Sequence, residues 1–161
     1  MVIIYESKTG FTKKYAVMLA EKTGLKAYSV KEFLDAGQDE EIIFLGWMKA
    51  GKIQGFDKIR KFNVKAVCAS GTARTIEPST EAVMERNKVE GVPLFYLRGG
   101  CLPLKDMRGM DKFSLSLFVK ILKSRKDKDE ELIEAITNIE SGYNGVREEN
   151  LEPVLSWLNS K

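Results

Sequence analysis

The sequence predicts an α/β protein, a doubly wound five-stranded parallel sheet with helices on both faces. Three observations predict it. Five short apolar runs recur over about the first 100 residues, segments of helical spacing or crossover length separate them, and the first run passes straight into a glycine-containing turn and an amphipathic helix. Parallel neighbours need such crossovers, which are right-handed, and a strand buried on both faces reads as a continuous apolar run.

The first strand is Val2 to Tyr5. In the helix that follows, Phe11, Tyr15, Met18 and Leu19 recur at helical spacing with Ala16 and Ala20 beside them, and Gly24 stops it. A second strand, Leu25 to Val30, leads into the short polar segment KEFLDAG, which ends at Gly37. The third strand is Glu41 to Gly46. A loop and a short helix around Phe56 to Phe62 then precede the fourth, Val64 to Ser70. Pro78 stands where a helix begins, with Ala82, Val83 and Met84 as its apolar face, and the fifth strand is Val92 to Leu97. The closing NLEPVLSWLNS reads as a helix capped by Asn150, with Leu151, Leu155 and Leu158 inward and Trp157 in the packing.

Length and composition narrow the function. At 161 residues, 43% hydrophobic and 30% charged, the chain suits one soluble domain with a helical insertion at about 101–145. No apolar run approaches bilayer length and no charged segment precedes Val2-Ile3-Ile4, so neither anchor nor signal peptide is expected, and the cytoplasm is the expected location. Histidine is absent, which removes Ser-His-Asp and Cys-His catalysis and the commonest transition-metal ligand. The two cysteines, Cys68 and Cys101, form no metal-site spacing. No side chain stands out as a catalytic acid or base, so any chemistry is expected to belong to a cofactor, and neither a metal nor a nucleic acid is expected.

In doubly wound sheets a ligand binds at the carboxyl ends of the strands, beside the point where strand order reverses. The loops after strands one, three and four are therefore the candidates. In the first, SKTGFT, the hydroxyls of Ser7, Thr9 and Thr12 surround Gly10, and the helix starts near Phe11. Hydroxyls and unpaired helix N–H groups there make an anion cradle suited to phosphate. It is neither a Walker loop nor a GxGxxG fingerprint. The simpler alternative is that Ser7 or Thr9 only caps the helix.

Ser7-Lys8-Thr9-Gly10-Phe11-Thr12 resembles the [ST]-x-[ST]-G-x-[ST] phosphate loop of flavodoxins, and the resemblance extends over about residues 1–100 and the final helix. It implies a flavodoxin-like strand order of 2-1-3-4-5 and FMN as cofactor, with its phosphate on residues 7–12. By the same resemblance the glycine-rich stretch Gly46 to Gly55 covers the flavin ring through Trp47, Met48, Lys49, Ala50 and Gly51. Ser70, Gly71, Thr72 and Ala73 would then bring backbone amides to the pyrimidine edge, with Arg74 on the phosphate, the ring or an acidic substrate. Flavodoxins commonly place a stacking tyrosine in this third loop, whereas no aromatic occurs between Ala69 and Ser79 here, which leaves the outer face open to a substrate.

Two further departures bear on function. Flavodoxins are strongly acidic, while this chain carries net +3, which weakens a conventional carrier role. The segment after strand five is also long, and residues 105–128 hold eight Lys or Arg against three Asp, a net of +5. Phe113, Leu117, Phe118, Ile121 and Leu122 give that helix a broad apolar face, expected to pack on the domain. The alternative is peripheral contact with an anionic membrane or a partner. With this insertion and its GTAR loop, the chain is similar to the flavodoxin-domain branch related to bacterial flavodoxin-like protoporphyrinogen oxidase, an enzyme of heme biosynthesis that uses a quinone acceptor. The expected function is electron transfer or flavin-dependent oxidoreduction, with a redox protein, a quinone or a small molecule as partner. A protoporphyrinogen-oxidase-like flavoenzyme and a flavin-free binding module are the alternatives.

Overall fold

The computed structural model describes residues 1–36 and 39–161, so Gly37, the expected end of the short polar segment after strand two, lies outside the described residues. The chain divides into two compact units, Met1–Gly99 with Val146–Lys161, and Gly100–Gly145. In the first lie β1 (Val2–Glu6), α1 (Phe11–Thr23), β2 (Ala27–Ser29), α2 (Val30–Ala36), β3 (Ile42–Lys49), β4 (Lys52–Ile53), α3 (Phe56–Ile59), β5 (Val64–Gly71), α4 (Thr80–Asn87) and β6 (Leu94–Arg98). The second contains β7 (Gly100–Cys101), α5 (Gly109–Ser124), α6 (Glu130–Ser141) and β8 (Tyr143–Asn144). The chain then completes the first unit with a 3-10 turn, Glu148–Leu151, and α7 (Glu152–Asn159).

The strands of the first unit lie in the order β2-β1-β3-β5-β6, all parallel, with β4 folded back antiparallel on β3. Counting only the parallel strands, this is the 2-1-3-4-5 order of a flavodoxin-like fold. Period-two alternation sends each strand to two cores. Ile4, Ile42, Phe44, Val67 and Ala69 meet α2, α3 and α4 through Phe33, Phe56, Ile59 and Val83. Ile3, Ile43, Leu45, Ala66 and Cys68 meet α1 and α7 through Tyr15, Leu19 and Val154. Because both faces are covered, the strands need no polar alternation, which is why they read as plain apolar runs.

Several boundaries differ from the sequence reading. β3 runs three residues past Gly46 and returns as β4, so Trp47, Met48 and Lys49 belong to a strand rather than a loop. Pro78 precedes α4 without opening it; Ser79 is the cap, its hydroxyl accepting from Ala82 N–H at 3.2 Å. Asn150 is not a cap either. It sits in the 3-10 turn, where its amide donates to the Tyr15 hydroxyl, and Tyr15 in turn donates to Arg98 C=O at 2.6 Å. Trp157 does pack, against Phe95 at 6.2 Å between centroids.

In the second unit, Val119, Leu122 and Ile136 form a small core of their own with Leu132 and Ile139 packed against it. The expected apolar face of α5 is corrected here. Leu122 is buried, but Phe113, Leu117, Phe118 and Ile121 are exposed, because α6 covers only one side of α5. No helix among the described residues is long and apolar enough to cross a membrane.

Candidate functional site

β1 stands at the switch point, with β2 on one side and β3 on the other, so the turn after it opens at the reversal of strand order. Gly10 is the cap of α1, at φ 92. A methyl group there would meet nothing within 4 Å, so the left-handed backbone and not a lack of room demands glycine. Ser7 Oγ accepts from the N–H of Gly10 and of Lys13, both at 3.2 Å. Ser7 thus satisfies backbone N–H groups of the turn and of the first turn of α1, while Gly10 occupies the cap position. Thr9 and Thr12 differ: neither hydroxyl has a hydrogen bond among the described residues, and the N–H groups of Phe11 and Thr12 have none either. One residue ties down the turn while two hydroxyls and two helix N–H groups keep their capacity to bind.

The second stretch is a hairpin. Ala50 and Gly51 form its tip, both at positive φ (49 and 74), as a tightly twisted two-residue connection requires. The left-handed conformation is costly for alanine. α4 holds the tip in place: Arg86 Nη1 donates to Ala50 C=O at 2.5 Å, and Asn87 Nδ2 donates to Gly51 C=O at 2.8 Å. Asn87 Oδ1 also accepts from Ile53 N–H at 2.8 Å. A side chain at Gly51 would meet Arg86 Nη1 at 2.6 Å. Trp47 faces the opening turn instead, with Lys8 Nζ 5.6 Å from its ring centroid, so a cation–π contact links the first and second stretches.

In the third stretch, Ser70 and Gly71 end β5, and Thr72 and Ala73 lead away from it. Tyr96, on the neighbouring β6, donates its hydroxyl to Ala73 C=O at 2.8 Å. Burial first and the Glu77 carboxylate second push this phenol above its ordinary range, with Arg98 opposing them. It therefore stays a neutral donor. An aromatic does reach this loop after all, but from the next strand.

Between hairpin and third stretch lies a cleft of about 730 Å³, lined by Met48, Ala50, Gly51, Gly71, Thr72, Ala73, Glu77, Pro78, Arg86 and Tyr96. Six of the expected site residues thus meet there. Trp47, Lys49, Ser70 and Arg74 do not line it, and neither do residues 7–12, which lie at the end of β1. Sequence reasoning missed Arg86, Asn87, Glu77 and Tyr96. Only Tyr96 left a signal, since a strand-five residue must lie beside strand four in the expected order. The thiols of Cys68 and Cys101 are both pushed up by burial, which leaves them poor nucleophiles. No protein-family model matches the sequence, and no curated protein matches it at significance.

Proposed function

We propose that the first unit binds FMN along the carboxyl edge of its sheet and serves as a redox protein, in electron transfer or flavin-dependent oxidoreduction. The observation that carries this reading is the division of labour in the opening turn. Ser7 alone satisfies the turn's own backbone, so the hydroxyls of Thr9 and Thr12 and the N–H groups of Phe11 and Thr12 suit a phosphate at the positive end of α1. The cleft beside it suits a flat ring, with small residues on both walls and Met48 as an apolar contact. β1 and β5 are separated by one strand, about 10 Å across two inter-strand steps, so the turn that would hold the phosphate and the cleft that would hold the ring belong to the same edge of the sheet.

Bound there, FMN would supply electron transfer in one- or two-electron steps. The chain's own residues do the rest. Arg86 and Asn87 hold the hairpin tip rigid, which fixes the direction of the backbone groups at Ala50 and Gly51. Tyr96 holds Ala73 in the same way from the opposite wall. Positive φ at Ala50, stabilised from α4, is the kind of strain that accompanies a binding loop.

The test is a titration of purified apoprotein with FMN, read by flavin absorbance, beside the Thr9→Val/Thr12→Val variant, followed by stepwise reduction of the bound form. Tight binding is expected in the wild type, with a loss of at least about tenfold in the variant. The course of reduction then separates a one-electron carrier from a two-electron enzyme. Failure of the wild type to bind would reduce the turn to a helix cap and end this reading.

A further inference from the structure

The second unit leaves an apolar stripe uncovered. Along α5, Met110, Phe113, Leu117 and Ile121 are 74%, 65%, 51% and 52% exposed. Spacings of three and four residues put them in one line on the helix surface, about 16 Å long at 1.5 Å per residue. Phe118 widens it, at 47% exposed. Val119 and Leu122, which pack against α6, fall on the opposite half of the helix. The stripe is therefore the side of α5 that α6 leaves bare, and single exposed apolar residues do not line up in this way.

Charge indicates what it meets. No acidic residue occurs between Asp111 and Asp127, whereas Lys112, Lys120, Lys123, Arg125 and Lys126 fall in that interval, with Lys105 and Arg108 before it and Lys128 after it. Lys123 is held by Glu140 at 2.6 Å. The acids Glu130, Glu131 and Glu134 belong to α6, on the far side of α5 from the stripe. An apolar line of Met, Phe, Leu and Ile within a segment of net +5 over residues 105–128 is complementary to an apolar interior under a continuous negative surface.

We infer that α5 docks the second unit onto an anionic lipid surface, its stripe in the headgroup–acyl boundary and its lysines and arginines on the headgroups. The docking does not depend on the flavin reading, since no residue of the cleft or the opening turn takes part.

The experiment is co-sedimentation of the full chain with phosphatidylcholine vesicles, with and without phosphatidylglycerol, at low and near-physiological salt. Three variants accompany it: Phe113→Ser/Leu117→Ser, Lys112→Glu/Lys120→Glu, and Lys26→Glu/Lys58→Glu as an equal change of net charge outside the segment. Binding is expected only with phosphatidylglycerol, weakening with salt. The first two variants should lower partitioning at least about tenfold and the third should leave it near wild type. All altered side chains are exposed, and a common thermal melt verifies that the variants fold. The inference is overturned by absence of binding to the anionic vesicles, by equal binding to phosphatidylcholine alone, or by full binding of the serine variant. A concentration-dependent dimer that the serine variant abolishes, without vesicle binding, would assign the stripe to a second copy of the chain instead.

Discussion

Tyr96 shows how much one side chain does at the edge of this sheet. Its hydroxyl reaches from β6 across to Ala73 C=O and so holds the loop after the adjacent strand. Burial, reinforced by Glu77, favours the protonated phenol, so its value lies above the ordinary 10 in the folded chain. An unfolded tyrosine ionises near pH 10. Above that pH the folded state therefore binds more protons than the unfolded one, and stability falls as pH rises toward the folded value. Below pH 10 the contribution is fully present. Tyr96→Phe should thus cost about 1 kcal/mol at pH 7, from the lost hydrogen bond. In urea melts, the gap to wild type should narrow as pH rises through the range above 10. Cys68, whose thiol burial also disfavours ionisation, acts equally in both proteins and cancels from the difference. A gap that stays constant from pH 7 to about pH 11 would mean that Tyr96 ionises as freely in the fold as outside it.

At the scale of elements, α5 separates what a sequence pattern says from what packing decides. Its apolar face is wider than one neighbouring helix can cover, and periodicity gives the width of a face without naming the neighbour. Leu117 and Leu122 are the same residue type on the same helix, one exposed and one buried. Leu122→Ala should destabilise the second unit by about 2–5 kcal/mol, the usual range for a buried leucine. Leu117→Ala should stay within about 0.5 kcal/mol. Amide exchange along α5 reads both, and equal effects would contradict the assigned packing. The same limit explains the hairpin. GWMKAGKIQG looked like a loop because three glycines and two lysines mask the pairing of Met48 with Ile53, and Ala50 carries no turn signal although it lies at positive φ. The three central strands, β1, β3 and β5, were legible because burial on both faces leaves a local, contiguous mark. Of the site, the hydroxyl turn was legible for the same reason, being contiguous. Arg86 and Asn87 were not, because the α4-to-hairpin bonds join residues more than 30 positions apart, and nothing local announces them.

For the whole molecule, the consequence lies in how the second unit leaves and rejoins the chain. Gly100 pairs with Asn144 and Cys101 with Tyr143, antiparallel, so the chain departs and returns side by side, about 5 Å apart. Both buried layers of the sheet are built from residues of the first unit alone, and every residue lining the cleft belongs to it as well. Leu102 to Gly142 could then be replaced by Asn-Gly, which suits a two-residue turn between antiparallel strands. The shortened chain keeps the whole apolar core that the sheet buries. It should fold cooperatively, with FMN raising its melting temperature as far as in the full chain, since a ligand stabilises by its concentration relative to Kd and the site is unchanged. Vesicle binding should vanish, because the stripe of α5 is gone. Flavin absorbance, thermal melts and sedimentation on the one variant read these outcomes separately. Loss of FMN binding with an intact melt would show that the second unit contributes to the site. Loss of the cooperative melt itself would show that the fold of the first unit depends on the second.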